Sequence, residues 1–346
     1  MTQKLFIVCY YGKWPPYFRE WLYTAQRMQE AGYSFLLVTD LEIDYQLPVN
    51  VNVLKMELKT IKERISSLVG FECSLNHPYK LCDYKPAYGL IFEEELKEFD
   101  FWGHCDLDIL WGDYSRFVPE ELFQKYDKIQ FLGHSVLYRN VPEINRAFML
   151  YGGEFSFTEV FRSDCFFSFD EHPGMCGIAI NNGLNHWESY NQADLSAAFE
   201  RPVISRANNY PYQIIYWDDG KIMRAYIDKE ELKYDSFSYL HFQKKAPLGL
   251  PDWNKKGYKP KRILFNARQL IDISDIDIDR DFVIRNSDYK GKAYEIGEII
   301  KSKYNKILWF TKQGKEQRKV SIRIRKATNS VISIYKGSYN MVKSER

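Results

Sequence analysis

The sequence predicts an α/β fold, a mostly parallel twisted sheet flanked by helices over residues 1–255, followed by a basic C-terminal appendage over 256–346. Three observations lead there. Apolar runs of strand length alternate with longer runs of helical period through the first hundred residues, and Gly or Pro falls where those runs should start or stop. Charge is divided along the chain, since residues 301–346 hold 13 Lys/Arg and 2 Asp/Glu against 35 and 44 in residues 1–300.

KLFIVCYY (4–11) reads as a buried strand, and PPYFREWLYTAQRMQEAG (15–32) as a helix with Pro near its start and Gly at its end. YSFLLVTD (33–40) and VNVNVLKM (49–56) are the next strands, with ELKTIKERISSLVG (57–70) and KPAYGLIFEEELKEF (85–99) as helices. FWGHCDLDIL (101–110) continues as a strand, DKIQFLGHSVLYRN (127–140) as a strand and bend, and VPEINRAFMLYGG (141–153) as a helix. FDEHPGMCGIAINNG (169–183) reads as a long loop. PYQIIYWDDGKIMRAYI (211–227) is a hairpin about Asp219-Gly220. Ligands of such sheets bind beyond the carboxyl ends of the strands, where Asp40 and the DLD of 106–108 fall.

Composition narrows the function. A 45% hydrophobic fraction supports a real core, and 26 Tyr, 23 Phe and 8 Trp suit surfaces that stack on sugars or bases. Six cysteines without a C-x-x-C pair, and no signal peptide before the first strand, predict reduced thiols in a cytoplasmic protein without a zinc site. No apolar run reaches membrane-spanning length. The basic tail favours polyanions, an anionic membrane surface or nucleic acid, and the acidic body argues against nucleic acid.

The chemistry centres on FWGHCDLDILWGD (101–113). If this is an extended strand, His104, Asp106 and Asp108 share one face, and two carboxylates there need a common cation or proton. A hard divalent ion fits, with positions left open for substrate phosphates. D-x-D is a short motif, and it recurs in Asp275, Asp277, Asp279 and Asp281. That later run departs from a calcium loop, with Arg280 in place of the turn glycine and Asn286 in place of the closing Glu, and reads as a solvated acidic strand or turn. Upstream, YKLCDYKPAYG supplies Lys80, Asp83 and Lys85; downstream, YLHFQKK supplies His241, Lys244 and Lys245. No phosphate-binding glycine loop is present.

Taken in order, VTD, D-x-K-P-A-Y-G, W-G-x-x-D-L-D and a late L-H-F with lysines, the chain resembles GT-A glycosyltransferases over residues 3–250. It is similar to an uncharacterised bacterial group associated with capsule and lipopolysaccharide synthesis. The resemblance implies transfer of a galactose-type or glucose-type hexose from a UDP-sugar to a lipid-linked glycan acceptor, with Mn²⁺ or Mg²⁺, at the inner membrane face. It implies metal ligation by Asp106, Asp108 and His241, and nucleotide-sugar contacts from Asp40, Asp83, Lys85, Asp106, His134, Arg139 and Lys244. Asp170 and Glu171 are the candidate catalytic acids. Plainer roles stay open: Asp40 and Asp83 as caps, Lys85 as a surface lysine, His241 as a structural histidine, Asp170 and Glu171 as loop solvation. A metal-dependent phosphoryl transferase or nuclease using the same Asp pair, and a non-catalytic polyanion binder, are the rival classes.

Overall fold

The alternating first half forms a parallel sheet in the computed structural model, which describes residues 1–44, 46–243, 245–255 and 257–313. Strands β1 (Lys4–Cys9), β2 (Tyr33–Thr39), β3 (Val51–Lys55) and β4 (Phe101–Cys105) run parallel in the order β3-β2-β1-β4. The chain steps out of this sheet at β5 (Ile109–Trp111). It returns as β6 (Lys128–Ile129), β7 (Ser135–Arg139) and β8 (His186–Trp187), which complete seven strands, with β7 antiparallel to β4 and to β6.

Both faces of the sheet are buried, as its unbroken apolar runs require. Along β1, Leu5 and Ile7 enter a core with Ile61, Ile65, Tyr84, Tyr88 and Trp102, while Phe6 and Val8 enter another with Trp21, Phe35 and Trp111. Ile61 and Ile65 come from the helix Leu58–Val69, and Trp21 from the helix Phe18–Gln26. Gly70 closes the first of these helices at φ 77°, a conformation that costs a residue with Cβ.

The second half forms two further sheets. Strand β9 (Ala193–Asp194) precedes a hairpin of β10 (Gln213–Asp218) and β11 (Lys221–Asp228), turned at Asp219-Gly220 as its sequence predicts. Strand β12 (Glu231–Phe237) follows, then β13 (Tyr239–His241), β14 (Arg262–Phe265) and β15 (Leu270–Asp272). The larger sheet is antiparallel, in the order β12-β11-β10-β14-β15, so its ladder crosses position 255. The smaller sheet, β5-β13-β9, lies between the other two, and Trp217 of β10 donates its indole N–H to the Trp111 carbonyl of β5 at 3.0 Å. Beyond β15, Asp279 caps the helix Arg280–Asn286 by accepting from the Phe282 N–H, so the acidic run ends as a helix start.

Three local expectations are corrected. FWGHCDLDIL is not one strand, because the ladder stops at Cys105 and resumes in a different sheet at Ile109. The stretch 85–99 is not a regular helix: residues Pro78–Ala87 form 3₁₀ turns and only Tyr88–Ile91 is α-helical, with Pro86 removing a donor and Gly89 pressed against the Trp102 ring. The predicted loop at 169–183 contains a π-turn, His172–Cys176, that runs into the helix Gly177–Asn181. Burial of Met175, Cys176, Ile178 and Ala179 outweighs the glycines and proline that suggested a loop.

Candidate functional site

Because β1, β2 and β4 are parallel, their carboxyl ends share one edge of the sheet, and Tyr10, Asp40 and Asp106 follow those ends directly. Asp106, Leu107 and Asp108 form the bend between β4 and β5. The sequence at this point must leave one sheet for another, so two carboxylates occupy a strand end and escape the core. His104, expected on their face, is wholly buried, with Nδ1 3.1 Å from the Gly133 carbonyl. Burial, helped by the nearby Lys85 charge, holds this imidazole well below the usual histidine range.

Each aspartate has its own cationic partner. Lys85 Nζ lies 2.7 Å from Asp106 Oδ1, 3.1 Å from Asp170 Oδ2 and 2.8 Å from the Gly133 carbonyl. Burial opposes its charge, but the two carboxylates outweigh burial and hold Lys85 well above the ordinary lysine range. Asp106 feels burial as an upward pull that Lys85 and His241 more than offset, which leaves it below its ordinary value. Asp170 is pushed up to about 7 by burial, joined by the negative charges of Glu171 and Asp106, in spite of Lys85. Glu171 follows Asp170 at a half-exposed position at the start of the π-turn.

His241 reaches Asp108 from the other side. Strand β13 pairs with β5 so that His241 faces Ile109, and the Phe242 N–H donates to the Asp108 carbonyl at 2.8 Å. Its Nε2 is 3.4 Å from Asp108 Oδ1, and its Nδ1 2.7 Å from Asp194 Oδ1. Burial disfavours charge on this ring, yet its bonds to Asp108 and Asp194 prevail and raise it to about 10. His134 stacks on His241 with ring centroids 4.1 Å apart, and its Nδ1 is 2.8 Å from the Tyr239 hydroxyl. Burial and the neighbouring His241 lower His134 to about 3.

Asp106, Asp108 and His241 therefore present ligand atoms within 4.8 Å of one another, as do His134, Asp194 and His241. Two carboxylates with an imidazole form a donor set for a divalent ion such as Mn²⁺, with Mg²⁺ served by the oxygens. Two other clefts, of about 350 Å³ beside Arg201 and Glu295 and about 520 Å³ beside Arg27 and Asp113, include none of these residues.

Residues 6–266 match the family model DUF6625, described as a family of unknown function. The chain belongs to the DUF6625 family. Its matched span takes in Asp40, Lys85, the 106–108 bend, His134, Asp170, Asp194 and His241, so the site lies wholly inside the family region. No curated protein matches this DUF6625 chain.

Two sequence-predicted residues have other tasks in the DUF6625 fold. Asp83 is fully buried, paired with Lys80 at 2.9 Å and accepting from the Phe167 and Phe169 N–H groups, so its oxygens hold the 167–169 segment and do not face a ligand. Arg139 ends β7 opposite Phe101, which begins β4, and so lies at the far edge from Asp106. There it bonds Asp127 and the Phe123 and Tyr126 carbonyls. Asp40 is exposed on the site edge, and Lys244 lies outside the described residues. Sequence reasoning missed Asp194, which sits in the motif-free stretch QADLS, and Tyr10, which stacks on Trp14. Burial, then the Asp108 charge, raises the Tyr10 hydroxyl, so that ring lies near the 106–108 bend.

Proposed function

We propose that this chain is a metal-dependent glycosyltransferase of GT-A character that moves a hexose from a UDP-sugar to a lipid-linked glycan acceptor in bacterial surface polysaccharide synthesis. The convergence of Asp106, Asp108 and His241 at the carboxyl edge of a parallel sheet carries this reading, since such edges take the ligands of open α/β sheets. Mn²⁺ or Mg²⁺, when bound by those three residues, supplies positive charge against a departing diphosphate. Lys85, fixed between Asp106 and Asp170, adds a permanent cation to the same place. In this reading Asp40 and the Tyr10–Trp14 stack, at the same edge of the sheet, would meet ribose and base, and His134, buried against His241, would bear on the sugar only through that ring. Asp170, with its carboxyl near neutrality, suits receipt of a proton from an acceptor hydroxyl, with Glu171 as the alternative base.

Asp170 and Asp194 bring extra carboxylates toward the pair, which a metal-dependent phosphoryl transferase or nuclease would use. Against that rival, Lys85 holds the position between Asp106 and Asp170 that a second ion would take. Calorimetric titration with UDP, with and without Mn²⁺, separates the readings. UDP binding that requires Mn²⁺ and disappears in EDTA is the expected result. Metal-independent UDP binding, or none, would overturn the proposal, and metal-dependent cleavage of nucleic acid would favour the rival.

A further inference from the structure

The metal reading leaves the half-buried carboxylate of Asp194 without a stated part. The main chain fixes where His241 is but not how its ring turns. His241 is laddered to Ile109 on one side and Asp194 on the other, and the Leu195 N–H donates to its carbonyl at 3.0 Å. The ring setting comes from Asp194, whose Oδ1 lies 2.7 Å from Nδ1 and leaves Nε2 directed at Asp108. Asp194 is itself held, because Gln243 Nε2 donates to the same oxygen at 3.0 Å, and its side chain is 14% exposed.

We propose that Asp194 is the positioning residue of His241, and that through it the site favours Mn²⁺ over Mg²⁺; this rests on the metal reading above. A carboxylate that accepts the Nδ1 proton leaves the Nε2 lone pair as the ligand and makes the imidazole a stronger donor. Imidazole suits transition ions far better than Mg²⁺, which prefers oxygen. Asp194 therefore acts on the one ligand that tells the two ions apart. His134 is no substitute, since the imidazole whose atoms converge with both Asp106 and Asp108 is that of His241. An ion held instead by His134, Asp194 and His241 would take the Asp194 carboxylate as a ligand, in competition with its bond to His241 Nδ1.

The test uses the full chain, with Mn²⁺ alone followed by electron paramagnetic resonance and Mg²⁺ by competition. Asp194→Ala should weaken Mn²⁺ binding by about 10- to 100-fold, with a much smaller effect on Mg²⁺, and the imidazole nitrogen coupling seen in the wild-type spectrum should vanish. Asp194→Asn keeps an acceptor oxygen and should fall between. In a His241→Gln background, Asp194→Ala should add no further loss. Wild-type Mn²⁺ affinity in both Asp194 variants, or an equal loss with and without His241, overturns the role of Asp194 alone. Absence of Mn²⁺ binding by the wild-type chain overturns the metal reading, and this inference with it.

Discussion

At the scale of single residues, the site shows which groups are spared structural duty. Asp108 keeps about a quarter of its side chain exposed and has only His241 as an ion-pair partner among the described residues. Asp108→Asn should therefore remove Mn²⁺-dependent UDP binding while the thermal melt stays within a few degrees of wild type. A variant that unfolds would instead assign Asp108 a structural part. Glu120 behaves in the opposite way. It accepts from Thr2 and from Lys4, whose ammonium is buried against Tyr33 and Phe123. Burial raises the Glu120 carboxyl, but those bonds outweigh it and bring it down to about 2. A carboxyl lowered by folding stabilises the fold above its unfolded value and loses that contribution as pH falls toward its folded value. Urea midpoints of wild type and Glu120→Gln should thus differ most at neutral pH and converge in acid; a gap that does not change with pH would contradict the assignment. The grouping of Asp106, Asp108, Lys85 and His241 was legible because D-x-D, K-P-A-Y-G and L-H-F occur together in one chain, although D-x-D alone recurs. Asp83 and Arg139 misled because a residue's type does not reveal whether it faces inward or at which end of a strand it lies. Arg139 falls at the far edge only because β7 runs antiparallel to β4.

At the scale of elements, the regular first half and the Asp219-Gly220 hairpin were readable, and the path of residues 85–99 was not. Strands β1 to β3 and the helix Leu58–Val69 lie where their apolar period and bounding glycines placed them. The stretch 85–99 departed from its helical pattern because buried polar contacts just before it, which leave no periodic signal, determine its path. Lys80 is wholly buried and bonds Asp83 together with the Val160 and Cys165 carbonyls, while Asp83 secures Phe167 and Phe169. That one ion pair ties the 3₁₀ turns to the segment that leads into Asp170. Asp83→Ala leaves the Lys80 charge uncompensated and should cost about 3–5 kcal/mol in chemical denaturation. A variant that keeps its stability and loses only UDP affinity would restore Asp83 to the nucleotide.

At the scale of the whole molecule, β14 and β15 bring residues beyond 255 into the sheet that contains β10. A chain ending at 255 would expose the β14-facing edge of β10 and uncover Ile215 and Trp217, so it should be recovered as aggregate; one ending at 313 should melt cooperatively. Soluble, cooperative folding of the shorter chain would make the C-terminal strands dispensable. Among the described residues no helix is long and apolar enough to cross a membrane. The proposed lipid contact falls on Lys301–Arg346, of which 314–346 lie outside the described residues. Cosedimentation with anionic vesicles should depend on this segment and fall with salt, and equal retention by neutral vesicles would count against it. The pairing of Asp108 with His241 also bears on how the protein is made. It joins a bend near the first third of the chain to a strand near its second, with Asp194 supplied from between them. During synthesis, the ribosome releases the parallel strands β1 to β4 long before β13 can reach them. A truncated or unfinished chain without β13 lacks the imidazole whatever its first sheet has formed, so the Asp108–His241 contact reports that translation has passed Tyr239–His241.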